Sequence, residues 1–158
     1  MHTLTAPSPA PRGSFFSALG SPDDDVVRDP RARAVLRAGA IYDLVVTLPF
    51  ATPITAALVL SAFRKIHGAL GLGGPTLPEF SPTHLLFVAF FGTVVSFWSY
   101  LRLRSHARRL HALDTVGRFL FSTWQIWALA NGASPLLVPF LVLELAFGVT
   151  QALAVQKP

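Results

Sequence analysis

The stretch "IYDLVVTLPFATP", residues 41–53, indicates the solvent in which this chain folds. It is mostly apolar, yet it contains Asp43 and two prolines, Pro49 and Pro53, spaced four residues apart. A helix buried in a water-soluble protein rarely carries either feature, because proline removes a backbone hydrogen bond and an unpaired carboxylate is costly to bury. Prolines are more frequent in membrane-spanning helices, where neighbouring helices and hydroxyl side chains satisfy the freed carbonyls. The stretch therefore predicts a transmembrane helix that is kinked at its prolines.

The composition of the whole chain agrees with lipid as the main solvent. Its 158 residues are 52% hydrophobic and only 13% charged, whereas an average soluble domain is about 25% charged. The absence of cysteine excludes disulfides, thiolate chemistry and cysteine-bound metal centres. The formal net charge of +5 would suggest nucleic acid as the partner of a soluble protein. The positions of the basic residues give a better explanation, so no nucleic-acid partner is predicted.

Four apolar blocks of membrane-spanning length follow a polar N-terminal segment. Each is close to the ~20 residues that a helix needs to cross a hydrocarbon core of ~30 Å, and a chain in lipid must satisfy its own backbone hydrogen bonds. We therefore predict an all-α, polytopic membrane protein in which residues 34–158 form an antiparallel bundle of four transmembrane helices. The predicted helices cover about residues 38–63, 83–101, 110–130 and 135–155.

Residues 1–33 have a different composition from the rest of the chain. They contain five prolines and the polar runs "SPDDD" and "RDPRAR", and such a segment cannot bury enough apolar surface to fold alone. We expect this tail to be disordered or to lie on the membrane surface.

The basic residues indicate the orientation in the membrane. Five of them precede the first predicted span, four lie between the second and third spans in "RLRSHARR", and Lys157 follows the fourth, whereas the other side has only Arg64 and Lys65. Cytoplasmic loops carry the excess of Lys and Arg, so both termini are predicted to be cytoplasmic. The expected location is the bacterial inner (cytoplasmic) membrane, in a multi-pass arrangement with the lipid bilayer as the main partner.

Polar side chains inside the apolar blocks are the candidate site residues, because a charge at the bilayer centre costs at least ~2.5–3.5 kcal/mol and is usually paired or functional. They are Tyr42, Asp43, Asp114, Arg118, Gln125 and Glu144. Asp43 and Arg118 lie at similar depths, given a rise of ~1.5 Å per residue, so we expect an ion pair between them. Asp114 precedes Arg118 by four residues on one helix face. Arg118 is therefore expected to serve both acids, with Tyr42 at the rim of the cluster.

Glu144 lies near the middle of the fourth block, and no basic residue is expected at its depth. A buried carboxyl without a base favours the neutral form, which would hydrogen-bond to Gln125. Two interpretations of the polar residues stay open: they hold the helices together, or they form a ligand or proton site. For Pro49 and Pro53, the kink either shapes a cavity or fits the helix around its neighbours.

The chain contains no catalytic motif, since HExxH, P-loop and GxSxG sequences are all absent. An enzyme is therefore not favoured, and no metal site is predicted. A bis-histidine haem needs two imidazoles on different helices at one depth. His67 and His84 are the pair to consider, although both are expected at the membrane interface. No cofactor is evident, with a quinone or a haem as the alternatives.

Asp43 and the segment "DTVGRFLFSTWQ", residues 114–125, carry a resemblance to a known family. The chain resembles small four-helix bacterial membrane proteins of the DoxX-like kind, which have similar length, a polar or charged residue early in the first span and an arginine in the third. The resemblance covers the four spans and not the tail. Because that family includes parts of quinone-linked oxidoreductases, the resemblance implies at most a small hydrophobic ligand or an accessory role.

Three functions agree with these observations. The first is a non-catalytic subunit or accessory protein of a larger membrane complex or homo-oligomer, for which the 13 phenylalanines offer apolar contact surface. The second is a redox-associated or binding protein that holds a lipophilic, quinone-like ligand near Asp43, Arg118 and Glu144. The third is a proton or small-solute carrier that uses the same acids, although many transporters are built from repeats that this chain lacks.

Overall fold

The computed structural model describes residues 13–20 and 25–157. The chain is 77% helical, and no strand occurs within these two ranges, so the predicted all-α class is confirmed. The helices are α1 (Phe15–Leu19), α2 (Pro30–Thr47), α3 (Pro53–Ala69), α4 (Pro82–Arg104), α5 (Arg108–Ala130) and α6 (Val138–Ala154). Short 3-10 turns at Leu48–Phe50 and Pro135–Leu137 lead into α3 and α6.

The quoted stretch forms the junction between two helices, so the kink predicted at Pro49 and Pro53 is a break between α2 and α3. α2 and α3 meet at an angle of 100°. The residue before a proline avoids the helical region, and Thr52, which precedes Pro53, is extended at φ −129° and ψ 148°. Pro49 lies at the start of the 3-10 turn, where a missing backbone donor is tolerated. The two prolines therefore end one helix and begin the next.

Gly92 of α4 lets this junction pack closely against α4. A Cβ atom at Gly92 would lie 2.4 Å from the carbonyl carbon of Phe50, so a side chain at this position requires the backbone to move. The neighbouring Thr93 donates from its hydroxyl to the carbonyl of Ala51 at 3.3 Å. Helix α4 thus provides both the space for the junction and a donor for one of its freed carbonyls.

The long helices pack against one another in pairs. Close backbone contacts join α2 to α4, α2 to α6, α5 to α6 and α3 to α4. Arg108, the first residue of α5, donates to the carbonyl of Val155, directly after α6, so these two helices run in opposite directions. α4 and α5 meet mainly through long side chains, such as the rings of Phe91 and Phe121, whose centroids are 5.9 Å apart. Their wider separation leaves space between them.

Residues from both ends of the described chain meet the turn between α4 and α5. Val26 and Ala107 form an isolated antiparallel bridge. Arg108 donates to the carboxylate of Asp25 at 3.1 Å and to the carbonyl of Lys157 at 2.7 Å. The residues before α2 and after α6 therefore lie at the same end of the structure.

Parts of the predicted tail, residues 1–33, are packed against the helices. Ala18 of α1 and Val27 are buried in an apolar cluster with Leu36 of α2 and Ala112 of α5. The expected disorder of residues 1–12 and 21–24 lies outside the described residues.

A capping carboxylate fixes the start of α2. Asp29 accepts a hydrogen bond from the backbone amide of Arg31 at 2.9 Å, and Pro30 follows at the first helical position, where proline is favoured. This hydrogen bond lowers the pKa of Asp29. The cap therefore stabilises the fold above the ordinary pKa of an aspartate, and its contribution is lost as the pH falls through the lowered pKa.

Two segments are long and apolar enough to cross a membrane: α4 and the stretch Pro135–Ala154 that contains α6. Only 22% and 11% of their apolar windows are buried inside the protein, so most of this apolar surface faces outward. The bent pair α2–α3 is a third candidate when it is counted as one broken span. α5 is as long as α4, at 23 residues, but charged residues lower its apolarity.

Gly92→Ala is expected to destabilise the protein by about 1–3 kcal/mol, because the new methyl group must displace the backbone of Phe50. Gly117→Ala is the matched control, since a Cβ atom there meets no atom within 4 Å and alanine is favoured over glycine in a helix by about 0.5–1 kcal/mol. Thermal unfolding of both variants in a mild detergent measures the difference. Equal melting temperatures would contradict the close contact between Gly92 and the junction.

Candidate functional site

Arg118 lies at the centre of a buried ion cluster, and its side chain joins three helices. Its guanidinium donates from Nη2 to Asp43 Oδ2 of α2 at 2.5 Å. It donates from Nη1 to Glu144 Oε2 of α6 at 2.6 Å. The residue itself, on α5, is 2% exposed. The ion pair between Asp43 and Arg118 that the sequence predicts is present in the structure.

Gly39 and Gln151 complete the surroundings of the Arg118 side chain. The carbonyl of Gly39 accepts from Nη2 at 3.2 Å, and a Cβ atom at Gly39 would crowd that nitrogen at 3.2 Å. Gln151 accepts from Arg118 Nε at 2.5 Å and donates to Asp114 Oδ2 at 3.2 Å. Gln151 is not among the residues predicted from the sequence, although its position seven residues after Glu144 places both side chains on one face of α6.

Arg102 is the second buried cation of the cluster, and its prediction as a loop residue is wrong. Its Nη2 donates to Asp43 Oδ2 at 2.7 Å, its Nη1 contacts Asp114 Oδ1, and its side chain is 0% exposed. The predicted second span stopped at residue 101 because an arginine normally marks the membrane boundary, whereas α4 continues to Arg104. The available signal was the spacing of Trp98 and Arg102 by four residues, which places both on the face that meets Asp114.

Asp114 has partners on both carboxylate oxygens. Oδ1 accepts from Trp98 Nε1 at 2.8 Å, and Oδ2 lies 3.4 Å from Arg118 Nε. Arg118 therefore contacts both Asp43 and Asp114, as expected from the spacing of Asp114 and Arg118. Arg102 contacts the same two carboxylates.

Glu144 and Gln125 do not form the predicted pair. Glu144 has a cation at its depth, since Arg118 reaches it at 2.6 Å, and the expectation that no base is close was wrong. Backbone depth alone does not predict this contact, because the long arginine side chain reaches beyond the level of its own backbone. Gln125 Oε1 is buried and has no hydrogen-bond partner among the described residues.

Tyr42 lies beside the cluster and stacks on Phe147 of α6, with ring centroids 5.1 Å apart. The same Phe147 ring lies 5.2 Å from the Cζ atom of Arg118, close enough for a cation–π contact. An aromatic pair thus covers one side of the guanidinium.

A partly open cavity of about 760 Å³ adjoins the ion cluster. It lies where α4 and α5 are separated, and α2, α3 and α6 complete its walls. Asp43, Asp114, Arg118 and Glu144 are among its lining residues, together with Gln125. Most of the remaining wall is apolar and includes the aromatic side chains of Phe50, Phe63, Phe91, Phe121, Trp124 and Phe140.

The local structure of α5 explains why its polar residues share this cavity. Asp114, Arg118, Phe121 and Gln125 follow at spacings of four, three and four residues, so they lie along one helical face. The chain bends at Pro49 and Pro53. The bend places Val59 and Phe63 of α3 in the wall of the same cavity. All six candidate polar residues line this one cavity.

The two histidines considered for haem lie in different surroundings. His67 of α3 is buried and its Nδ1 lies 2.8 Å from the hydroxyl of Ser134. His84 caps α4 through Ser81, with 3.0 Å between Nδ1 and the hydroxyl. Within residues 13–20 and 25–157, no group of three or more His, Asp or Glu side chains has an arrangement that would hold a metal ion.

Comparisons of this chain with protein-family models, with curated proteins and with solved structures find no match.

Arg118→Gln is expected to cost about 3 kcal/mol or more, because it leaves three acids facing one guanidinium. Glu144→Gln is expected to stay within about 1 kcal/mol of the unmodified protein, since it leaves two acids facing two guanidiniums and an amide oxygen that still accepts from Arg118. Unfolding free energies from SDS titration in mixed micelles give the comparison. A loss for Glu144→Gln that equals the loss for Arg118→Gln would contradict the charge balance described here.

Proposed function

We propose that this chain is a multi-pass protein of the bacterial inner membrane with four spans in an antiparallel bundle. The spans are the bent pair α2–α3, then α4, α5 and α6, and both termini are cytoplasmic. The shared position of the two chain ends and the basic residues near them support this orientation.

The less apolar helix α5 fits this topology because its charged groups face inward. Asp114 and Arg118 are 7% and 2% exposed, so neither charge meets lipid. The outer face of α5 presents Leu120, Ile126 and Trp127, which are 51%, 51% and 62% exposed. A helix with an apolar outer face and paired charges inside is stable in a bilayer.

The function that the site supports best is the binding of a lipophilic small molecule with a polar head group. One observation carries this proposal: the cavity of about 760 Å³ combines an apolar, aromatic wall with polar groups at one side. Ligand sites commonly have volumes of about 300–1,000 Å³ and this combination of linings. A quinone-like molecule, as the resemblance to DoxX-like proteins implies, belongs to this class. The accessory-subunit role stays a prediction, because outward apolar side chains suit lipid and a protein partner equally. The carrier role also stays a prediction.

Gly117→Leu is expected to block ligand binding without disturbing the fold. Gly117 lines the cavity, and no atom lies within 4 Å of the position of its Cβ atom, so a larger side chain enters open space. Gly68→Leu is the matched control, since its Cβ position is equally open and the residue lies outside the cavity lining. Mass spectrometry of the lipids and small molecules that co-purify in a mild detergent compares the three proteins.

We expect one lipophilic compound to co-purify with the unmodified protein and with Gly68→Leu, and to be depleted in Gly117→Leu at unchanged melting temperature. An identical set of co-purified compounds in all three proteins would count against a ligand in this cavity.

A further inference from the structure

The ion cluster contains more acids than bases. Asp43, Asp114 and Glu144 face two guanidiniums, those of Arg102 and Arg118. If all five groups are ionised, one negative charge remains uncompensated beside the cavity. An unpaired charge in a low-dielectric interior is costly and needs a counter-ion or a proton.

Neighbouring basic groups do not supply the missing positive charge. His111 is buried next to the cluster, and its Nε2 donates to the carbonyl of Ser105 at 3.1 Å. Its Nδ1 is buried without a partner among the described residues, which fits a neutral imidazole with a single proton. Arg37, on α2 toward the chain ends, is exposed. The described basic groups therefore leave the third acid to be balanced by a bound cation or by a proton.

Glu144 has the fewest protein partners of these acids. Its single ion pair joins Oε2 to Arg118, and no hydrogen bond to Oε1 occurs within residues 13–20 and 25–157. Asp114 is held on both oxygens, and Asp43 binds two arginines, both through Oδ2. Because Glu144 has a single ion pair and also lines the cavity, its Oε1 is an acceptor available to a ligand.

Two further features of the cavity suit a positively charged head group. Gln125 contributes a second buried acceptor, Oε1, that has no partner in the described part of the chain. The aromatic side chains in the wall present π faces, which attract cations. An anionic head group would instead meet the surplus negative charge of the cluster.

We propose that the ligand of the cavity is an amphipathic organic cation, a protonated amine on an apolar body, and that Glu144 is the carboxylate that binds its ammonium group. This assignment rests on the proposed ligand-binding function and adds the chemical class of the head group. The ammonium donates to Glu144 Oε1, and its positive charge balances the cluster at three negative and three positive groups.

Three probes with one apolar body separate the head-group classes: 4-phenylbutylammonium, 4-phenylbutanol and 4-phenylbutanesulfonate. Each is titrated calorimetrically into the protein in zwitterionic phosphatidylcholine nanodiscs, and the heat measured with empty nanodiscs is subtracted. We expect the ammonium probe to bind about 10-fold tighter than the alcohol, the ratio that one charged hydrogen bond of about 1.5 kcal/mol supplies, and the sulfonate to bind weakest.

Glu144→Gln is the test variant, and Glu79→Gln is the control because Glu79 is an exposed carboxylate outside the cavity lining. Glu144→Gln should reduce the affinity for the ammonium probe about 10-fold, to that of the alcohol. Glu79→Gln should leave all three affinities unchanged. Gly117→Leu should abolish the binding of every probe.

The outcomes distinguish the two proposals. Equal binding of the ammonium and the alcohol, or ammonium binding that Glu144→Gln leaves intact, would overturn the cationic head group and leave the ligand-binding function standing. Binding of no probe, or binding that Gly117→Leu does not change, would overturn both.

Discussion

The ion pairs of the Arg118 guanidinium are the interactions on which the rest of this structure depends. It contacts a carboxylate of α2 and a carboxylate of α6 from its own position on α5, and these contacts define how the three helices sit relative to one another. Removing one partner of a buried ion pair leaves an uncompensated charge, so the three helices stabilise one another through these contacts. Gly39 contributes by leaving the space that the arginine head group occupies.

The sequence predicts the part of the site that follows from depth and helix periodicity. Asp43 and Arg118 have similar depths in their predicted helices, and Asp114 precedes Arg118 by one helical turn. The contacts among these three residues could therefore be predicted. Arg102 is assigned to a loop, because hydropathy treats an arginine at the end of an apolar block as the membrane boundary, whereas in the structure Asp43 and Asp114 bind it within the ion cluster. The contact between Arg118 and Glu144 depends on the reach of a long side chain. The break at Pro49 and Pro53 depends on Gly92, some 40 residues away in sequence.

The same contacts that stabilise the helices also produce the cavity. Trp98 and Arg102 of α4 reach Asp114 of α5 through long side chains, which lets the two helices remain apart while they stay connected. The bend between α2 and α3 then turns α3 toward the open space. The residues of the ion cluster therefore both join the helices and line the cavity, and under the proposed ligand binding they would serve stability and function together. The surplus acid beside the cavity agrees with this pattern.

The most direct test of the central claim is a double-mutant cycle between Asp43 and Arg118. The unfolding free energies of the unmodified protein, Asp43→Asn, Arg118→Gln and the double variant are measured by SDS titration in mixed micelles. Because the two side chains are 2.5 Å apart and only 2% and 12% exposed, we expect a coupling energy of at least about 1 kcal/mol, with the double variant losing less than the sum of the single losses. Losses that add to within about 0.3–0.5 kcal/mol would contradict it.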